Sequence, residues 1–215
     1  MPFKCLSCTQ CCKRYNISLL PEEAERISSH LGISLKEFMQ TFTELFVQLF
    51  PSQFKQDKLI VSSSNFSKEL SEKIFQEQGF HASHFLLLPG IILKRLPEGC
   101  VFLKENLCSI HSVKPEPCNL FPFISWDPER DLRKDYKFCE GLQASGEKVL
   151  MQQKHLNQHE EYYEKVKNNF EAIKQNGFHS LWKFLPIKGK LLAREKQIQE
   201  ISLKEFKELV GLLQG

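Results

Sequence analysis

Apolar residues recur along this chain in distinct rhythms, and each rhythm predicts a different kind of element. Asn16 to Leu20 is a short apolar run, and Pro21-Glu-Glu-Ala-Glu-Arg-Ile27 follows with proline at a first helical position and carboxylates in the first turn. That pattern predicts a helix, and Gly32 is placed to stop it. Ser34-Leu-Lys-Glu37 has the form of a capping box, in which the serine side chain accepts from the third helical amide and the glutamate reaches back. It predicts a helix with Leu35, Phe38, Phe42, Leu45, Phe46 and Leu49 on one face, ended by Pro51. Lys58 to Ser62 reads as a short strand, and Ser67 to Gln78 as a second small helix closed by Gly79.

From Phe85 the rhythm shortens. Phe85 to Leu88, Ile91 to Leu96 and Cys100 to Leu103 are β-prone runs separated by Pro-Gly, Pro-Glu-Gly and Glu-Asn turn signals, which predicts a small antiparallel sheet. Lys114-Pro-Glu-Pro-Cys118 and Phe121-Pro122 then read as rigid segments without regular helix, and Asp127 to Asp135 as a charged surface turn. Beyond Ser145 a long helix is expected to about Gln175, with Val149, Leu156, Tyr163 and Phe170 seven apart. Gln152 and His159 interrupt the neighbouring seam, so this helix is expected to dock rather than form a coiled-coil dimer. A Phe-, Trp- and Pro-containing connection leads to a last helix capped by Ser202, with Leu203, Phe206, Val210 and Leu213 in one stripe.

Composition narrows the class. The chain has 215 residues, enough for one sizeable core or for a domain with an appendage. A net charge of +3 without a Lys/Arg run gives no expectation of nucleic-acid binding. No stretch approaches the roughly 20 apolar residues of a membrane span, and the first residues have no secretory h-region, so the expected location is cytoplasmic. In a reducing compartment, clustered cysteines point to metal binding or redox chemistry rather than to disulfides.

There are eight cysteines, and they are not scattered. Cys5, Cys8, Cys11 and Cys12 lie within eight residues of one another; Cys100, Cys108, Cys118 and Cys139 share one later window. The first three have the spacing C-x2-C-x2-C, by which one loop offers three thiolates to a centre and a remote cysteine completes it, as in 4Fe–4S clusters. Zinc also accepts such thiolates, four of them at about 2.3 Å. Side chains of the adjacent Cys11 and Cys12 diverge, so the pair suits two nearby sites or a polynuclear cluster better than one ion. Cys108-Ser-Ile-His111 by itself suggests a zinc hairpin, and His155 with His159, four apart on the long helix, reads as a solvated pair. His81 and His84 precede an apolar run and read as a strand entry. No phosphate-binding Gly-rich loop, G-x-S-x-G elbow or H-E-x-x-H occurs.

Taken in order, Cys5-x2-Cys8-x2-Cys11-Cys12, Gly99-Cys-Val-Phe-Leu103, Cys108-Ser-Ile-His111, Lys114-Pro115-x2-Cys118, Phe121-Pro122 and Cys139-x-Gly141 resemble the CxxCxxCC, or YkgJ-type, cysteine-cluster family over roughly residues 3 to 141. That family is described as a candidate zinc- or iron-chelating domain and is similar to the cysteine-bearing part of flagellin lysine N-methylases. The resemblance implies a metal-binding role. It also implies, as an enzyme alternative, protein lysine N-methylation, which would need S-adenosylmethionine. His111 stands where relatives commonly have Tyr, Lys114 where they have Arg, and Thr9-Gln10 where they have Gly, so His111 is not expected to be an essential ligand.

Together these readings predict an α+β fold: a small antiparallel sheet and helices around a cysteine-ligated metal site, in a domain of residues 1–141, with a helical C-terminal extension, 142–215, packing on it. The expected ligands are Cys5, Cys8, Cys11, Cys12, Cys100, Cys108, Cys118 and Cys139, and the expected cofactor is an iron–sulfur cluster or zinc. A zinc-stapled module whose terminal helices engage a protein partner is a further alternative; neither a membrane nor a nucleic-acid partner is expected.

Overall fold

A computed structural model describes residues 3–53, 59–78, 82–124, 127–182, 184–186, 188–193 and 196–211. The fold is α+β, as expected, and the chain divides into two compact units that interleave in sequence: residues 1–18 with 93–167, and 19–92 with 168–215.

The first unit carries all eight cysteines. A loop from Phe3 leads into a short helix, Gln10–Arg14, that bears Cys11 and Cys12. Two small antiparallel hairpins follow: Arg95–Leu96 pairs with Gly99–Cys100, and Leu103–Lys104 with Leu107–Cys108. The second turns on Glu105 and Asn106, both at positive φ (50° and 60°), the geometry that matches the right-handed twist of a two-residue hairpin. A single 3-10 turn, His111–Val113, then gives way to the helix Glu116–Leu120, which contains Cys118. This segment was expected to be irregular because of its prolines. Pro117 instead sits in the first helical turn, where its missing N–H leaves no hydrogen bond unmade. The peptide Phe121–Pro122 is cis.

Beneath these elements Leu132, Cys139, Leu142, Val149 and Met151 form a buried cluster, packed by Phe3, Phe121, Phe123, Tyr136, Phe138 and Leu156. The expected surface turn thus contains a helix, Leu132–Asp135, whose Leu132 is fully buried. Asp131 caps it and ties two strands of chain together: its carboxylate accepts from the backbone N–H of Arg133 and of Val149, each at 3.2 Å. Burial alone would push this carboxyl up, but the two amides and the Arg133 guanidinium, 3.5 Å away, hold it below its usual range. Its contribution to stability is therefore complete above the ordinary carboxylate range and is lost as pH falls through the lowered value. Asp131→Asn is expected to be less stable than wild type at neutral pH. The difference should close as pH is taken down through the carboxylate range, as read by thermal unfolding of both proteins.

The second unit is built on a mixed sheet. Its strands run His84–Leu93, Thr43–Pro51, Lys188–Ala193, Lys196–Ser202 in that order, with Ile60–Ser62 antiparallel on the first. Thr43–Pro51 is parallel to Lys188–Ala193 (Leu45 opposite Gly189), and the last two strands are antiparallel. The helices Pro21–Leu31, Leu35–Phe42, Lys68–Gln78 and Leu203–Gly211 belong to the same unit. Gly32 ends the first of them at φ 68°, and Ser34 accepts from the Glu37 N–H at 3.1 Å, both as expected.

Three expectations are corrected here. The helix opened by Ser34 ends at Phe42, and Thr43–Pro51 is a strand. The hydroxyl of Thr43 donates to the Met39 carbonyl at 2.6 Å and closes the helix, after which Leu45, Val47 and Leu49 are fully buried at every second position. That is a strand's period, and Val47 does not fit the helical face. Pro89-Gly90 is not a turn: it lies inside the continuous strand His84–Leu93. The Phe46 ring occupies the space beside Gly90, where a Cβ would stand 2.3 Å from Cε1. The connection before Ser202 contains the two strands Lys188–Ala193 and Lys196–Ser202 as well as the short helix Phe178–Leu181.

The long helix is Gln153–Asn176, eight residues shorter at its start than expected from Ser145, and the last helix is Leu203–Gly211. The expected strand covers Ile60–Ser62, the second small helix Lys68–Gln78, and His84 begins a strand as anticipated. Lys58, Gly79, His81 and Leu213 lie outside the described residues.

Candidate metal centre

The loop that opens the first unit is bent by two residues in the left-handed region, Ser7 (φ 53°) and Thr9 (φ 60°). A β-branched residue adopts this conformation at a cost that glycine does not incur, and Thr9, 7 % exposed, is held there by its hydroxyl donating to the Cys8 carbonyl at 2.7 Å. The bend sets Cys8 before the helix Gln10–Arg14, whose Lys13 N–H returns to the Thr9 carbonyl.

Two glycines let the rest of the unit close on this loop. A Cβ on Gly99 (φ 138°) would stand 3.0 Å from the Cys12 carbonyl oxygen, and one on Gly141 only 2.5 Å from that of Lys4. Each glycine adjoins a cysteine or nearly so, so Cys100 and Cys139 are brought to the N-terminal cysteines by close backbone approach. Arg95 completes the link. Its guanidinium donates to the carbonyl of Tyr15 at 2.9 Å and to that of Lys13, which satisfies the end of the helix bearing Cys11 and Cys12, while its own strand holds Cys100 directly opposite.

The thiols consequently sense one another across long separations in sequence. The Cys11 and Cys12 side chains do not diverge as expected: their Sγ atoms are 4.0 Å apart. The hydrogen bond between them, and then burial, push the Cys11 thiol up, and the same bond draws Cys12 down against its burial, so one proton shared by the pair holds the other sulfur as a thiolate more readily. Charge on Cys100, Cys118 and Cys108 opposes ionisation of Cys12. Burial pushes Cys118 up, and Cys100, Cys11 and Cys108 add to it, with Lys114 opposing. Burial also raises Cys100, where the Phe102 amide and Arg95 pull the other way. Cys139 is raised by burial, with Cys8 and Cys11 adding. Cys11, Cys12, Cys100, Cys108 and Cys118 thus form one neighbourhood, and Cys8 with Cys139 a second that meets it at Cys11. Cys5 is exposed.

Among the described residues no three metal-binding side chains converge closely enough on one point to hold an ion. The donor set nevertheless fits a cation. Partly buried thiols that raise each other's pKa are at a disadvantage as thiolates, and a bound cation removes that disadvantage while drawing them together. Arg95 draws Cys100 down and Lys114 draws Cys118 down, whereas the sequence points to Lys4, Lys13 and Arg14 as the charges that offset the thiolates. Arg95 sits in an apolar run with nothing local to mark it, and Lys114 was noted only as a motif position.

Phe121 meets Tyr136 edge-on at 5.0 Å and stacks with Phe138 at 6.3 Å, Tyr15 lies 5.9 Å from both phenylalanines, and the Arg14 guanidinium covers Phe138 at 4.6 Å. Through Arg14 and Tyr15 these rings form an aromatic wall at the C-terminal end of the cysteine helix. His111 is exposed in its 3-10 turn. His155 and His159 are not a solvated pair: His159 is 7 % exposed, His155 stacks on Phe123, and burial lowers both.

A family model described as "CxxCxxCC: Putative zinc- or iron-chelating domain" matches residues 4–140. No curated protein and no solved structure matches the chain. No described helix is long and apolar enough to cross a membrane.

Proposed function

The chain belongs to the CxxCxxCC family of zinc- or iron-chelating domains, and on that premise we propose that its first unit holds a polynuclear metal–thiolate centre, an iron–sulfur cluster. One observation carries this reading: the hairpin that bears Cys100 closes through Gly99 on the helix of Cys11 and Cys12, whose sulfurs are 4.0 Å apart, and the charges of Cys108 and Cys118 act on the same thiols, so four stretches of chain bring five thiols into one neighbourhood. A single zinc takes four thiolates, and here the candidates exceed four before Cys5, Cys8 and Cys139 are counted. A cluster shares its charge over several metals and sulfides and accommodates such a set. Bound there, it would supply electron transfer or a cross-link between the loop, the two hairpins and the helix Glu116–Leu120. Arg95 and Lys114 would offset part of its negative charge, and the aromatic wall would limit water.

Anaerobic purification with visible spectroscopy and analysis for iron, acid-labile sulfide and zinc tests the proposal. A coloured protein with iron and sulfide in comparable amounts is expected. A colourless protein with zinc and no sulfide would replace the cluster by zinc, and a protein without bound metal under any reducing preparation would end the metal reading altogether.

A further inference from the structure

The first unit also contains a cavity of about 330 Å³, within the range of pockets that take small organic molecules. Phe3, Phe123, Val149 and Leu150 give it apolar lining; Phe3 meets Phe123 edge-on with ring centres 5.6 Å apart and His155 lies flat on Phe123 at 3.5 Å. Lys148, Gln152, Lys154 and His155 complete the lining, and among the described residues no carboxylate is part of it.

The cationic lining is left uncompensated. Neither lysine has an ion-pair partner among the described residues, and the first turn of the long helix, which includes Lys154, has no acidic residue. Nor is the histidine's tautomer arbitrary: the backbone N–H of Gln152 donates to its Nδ1 at 3.2 Å, so in the neutral ring the proton sits on Nε2, which remains a donor. Two ammonium groups and an N–H against a wall of stacked rings select a negative charge on a flat apolar body.

We propose that this cavity binds a small aromatic anion, an aryl carboxylate or sulfonate in chemical class. None of the eight cysteines is among the residues that line it.

The test uses two fluorescent probes on the full chain as purified: anilinonaphthalene sulfonate, which is an aromatic anion, and the uncharged N-phenylnaphthylamine. Saturable binding of the anionic dye at one per chain is expected. Lys148→Glu combined with Lys154→Glu, both at exposed positions, should weaken the anionic dye at least about tenfold and leave the neutral dye unchanged. Far-UV circular dichroism and metal content report that the double variant remains folded. Leu150→Trp, an exposed lining residue enlarged to fill the space, should exclude the anionic dye without charge reversal and serves if the double variant fails to fold. Absence of saturable binding, undiminished affinity in the double variant, or unchanged binding after Leu150→Trp would overturn the proposal.

Discussion

Changing Cys118 to serine is expected to strip most of the metal from the purified protein. Cys118 sits in the helix Glu116–Leu120, in the neighbourhood shared by Cys100, Cys11 and Cys108. A hydroxyl at this position is not ionised at neutral pH and replaces a soft thiolate with a poor ligand. Loss of a residue that only orients a metal ligand typically costs about 10–100-fold in affinity, and loss of a ligand itself should exceed that. Because metal binding is coupled to folding, and is worth about 10–16 kcal/mol in zinc peptides, the metal-depleted variant should also unfold at a lower temperature. Cys5→Ser, at an exposed position in the loop, is expected to have the smaller effect. Elemental analysis of both variants decides the matter: full metal content in Cys118→Ser would remove this cysteine from the site.

Gly141→Ala is the second large effect, and its sign is informative. Gly141 lies in the short helix Glu140–Gln143, where alanine would ordinarily stabilise by about 0.5–1 kcal/mol. Here the new Cβ would stand 2.5 Å from the Lys4 carbonyl oxygen and 3.1 Å from the Phe3 ring. The first of these is backbone, so the loop carrying Cys5 and Cys8 has to move. The expected result is destabilisation of about 1–3 kcal/mol, together with a reduced metal content. A stabilised variant with unchanged metal would mean that the loop does not rest on this helix.

The cysteine cluster is plainer in the sequence than the frame that surrounds it. Clustered cysteines at fixed spacing are a local signal, and so are the stop at Gly32, the cap at Ser34 and the Glu105-Asn106 turn, because each depends on residues a few positions apart. The misread segments are those decided by distant partners. Leu45, Phe46 and Leu49 satisfy a helical period, yet the parallel strand Lys188–Ala193, more than a hundred residues on, makes Thr43–Pro51 a strand. Pro89-Gly90 has the composition of a turn, but the ring of Phe46 requires a glycine within a strand. His159 looked solvated on its own helix because only tertiary packing buries it. The same holds at the site: Gly99 and Gly141 were visible as motif residues, but their role, making room for the cysteine loop, depends on the carbonyls of Cys12 and Lys4. Arg95, which secures the helix of Cys11 and Cys12, had no local signature at all.

We propose that cysteines from the loop, the hairpins and the helix Glu116–Leu120 jointly bind more than one metal atom. X-ray absorption at the edge of the bound metal in the anaerobically purified protein addresses it directly. A polynuclear thiolate centre gives a first shell of sulfur, near the roughly 2.3 Å of metal–thiolate bonds, with a metal–metal contribution behind it. A first shell of nitrogen and oxygen, or a four-sulfur shell with no second metal, would contradict it.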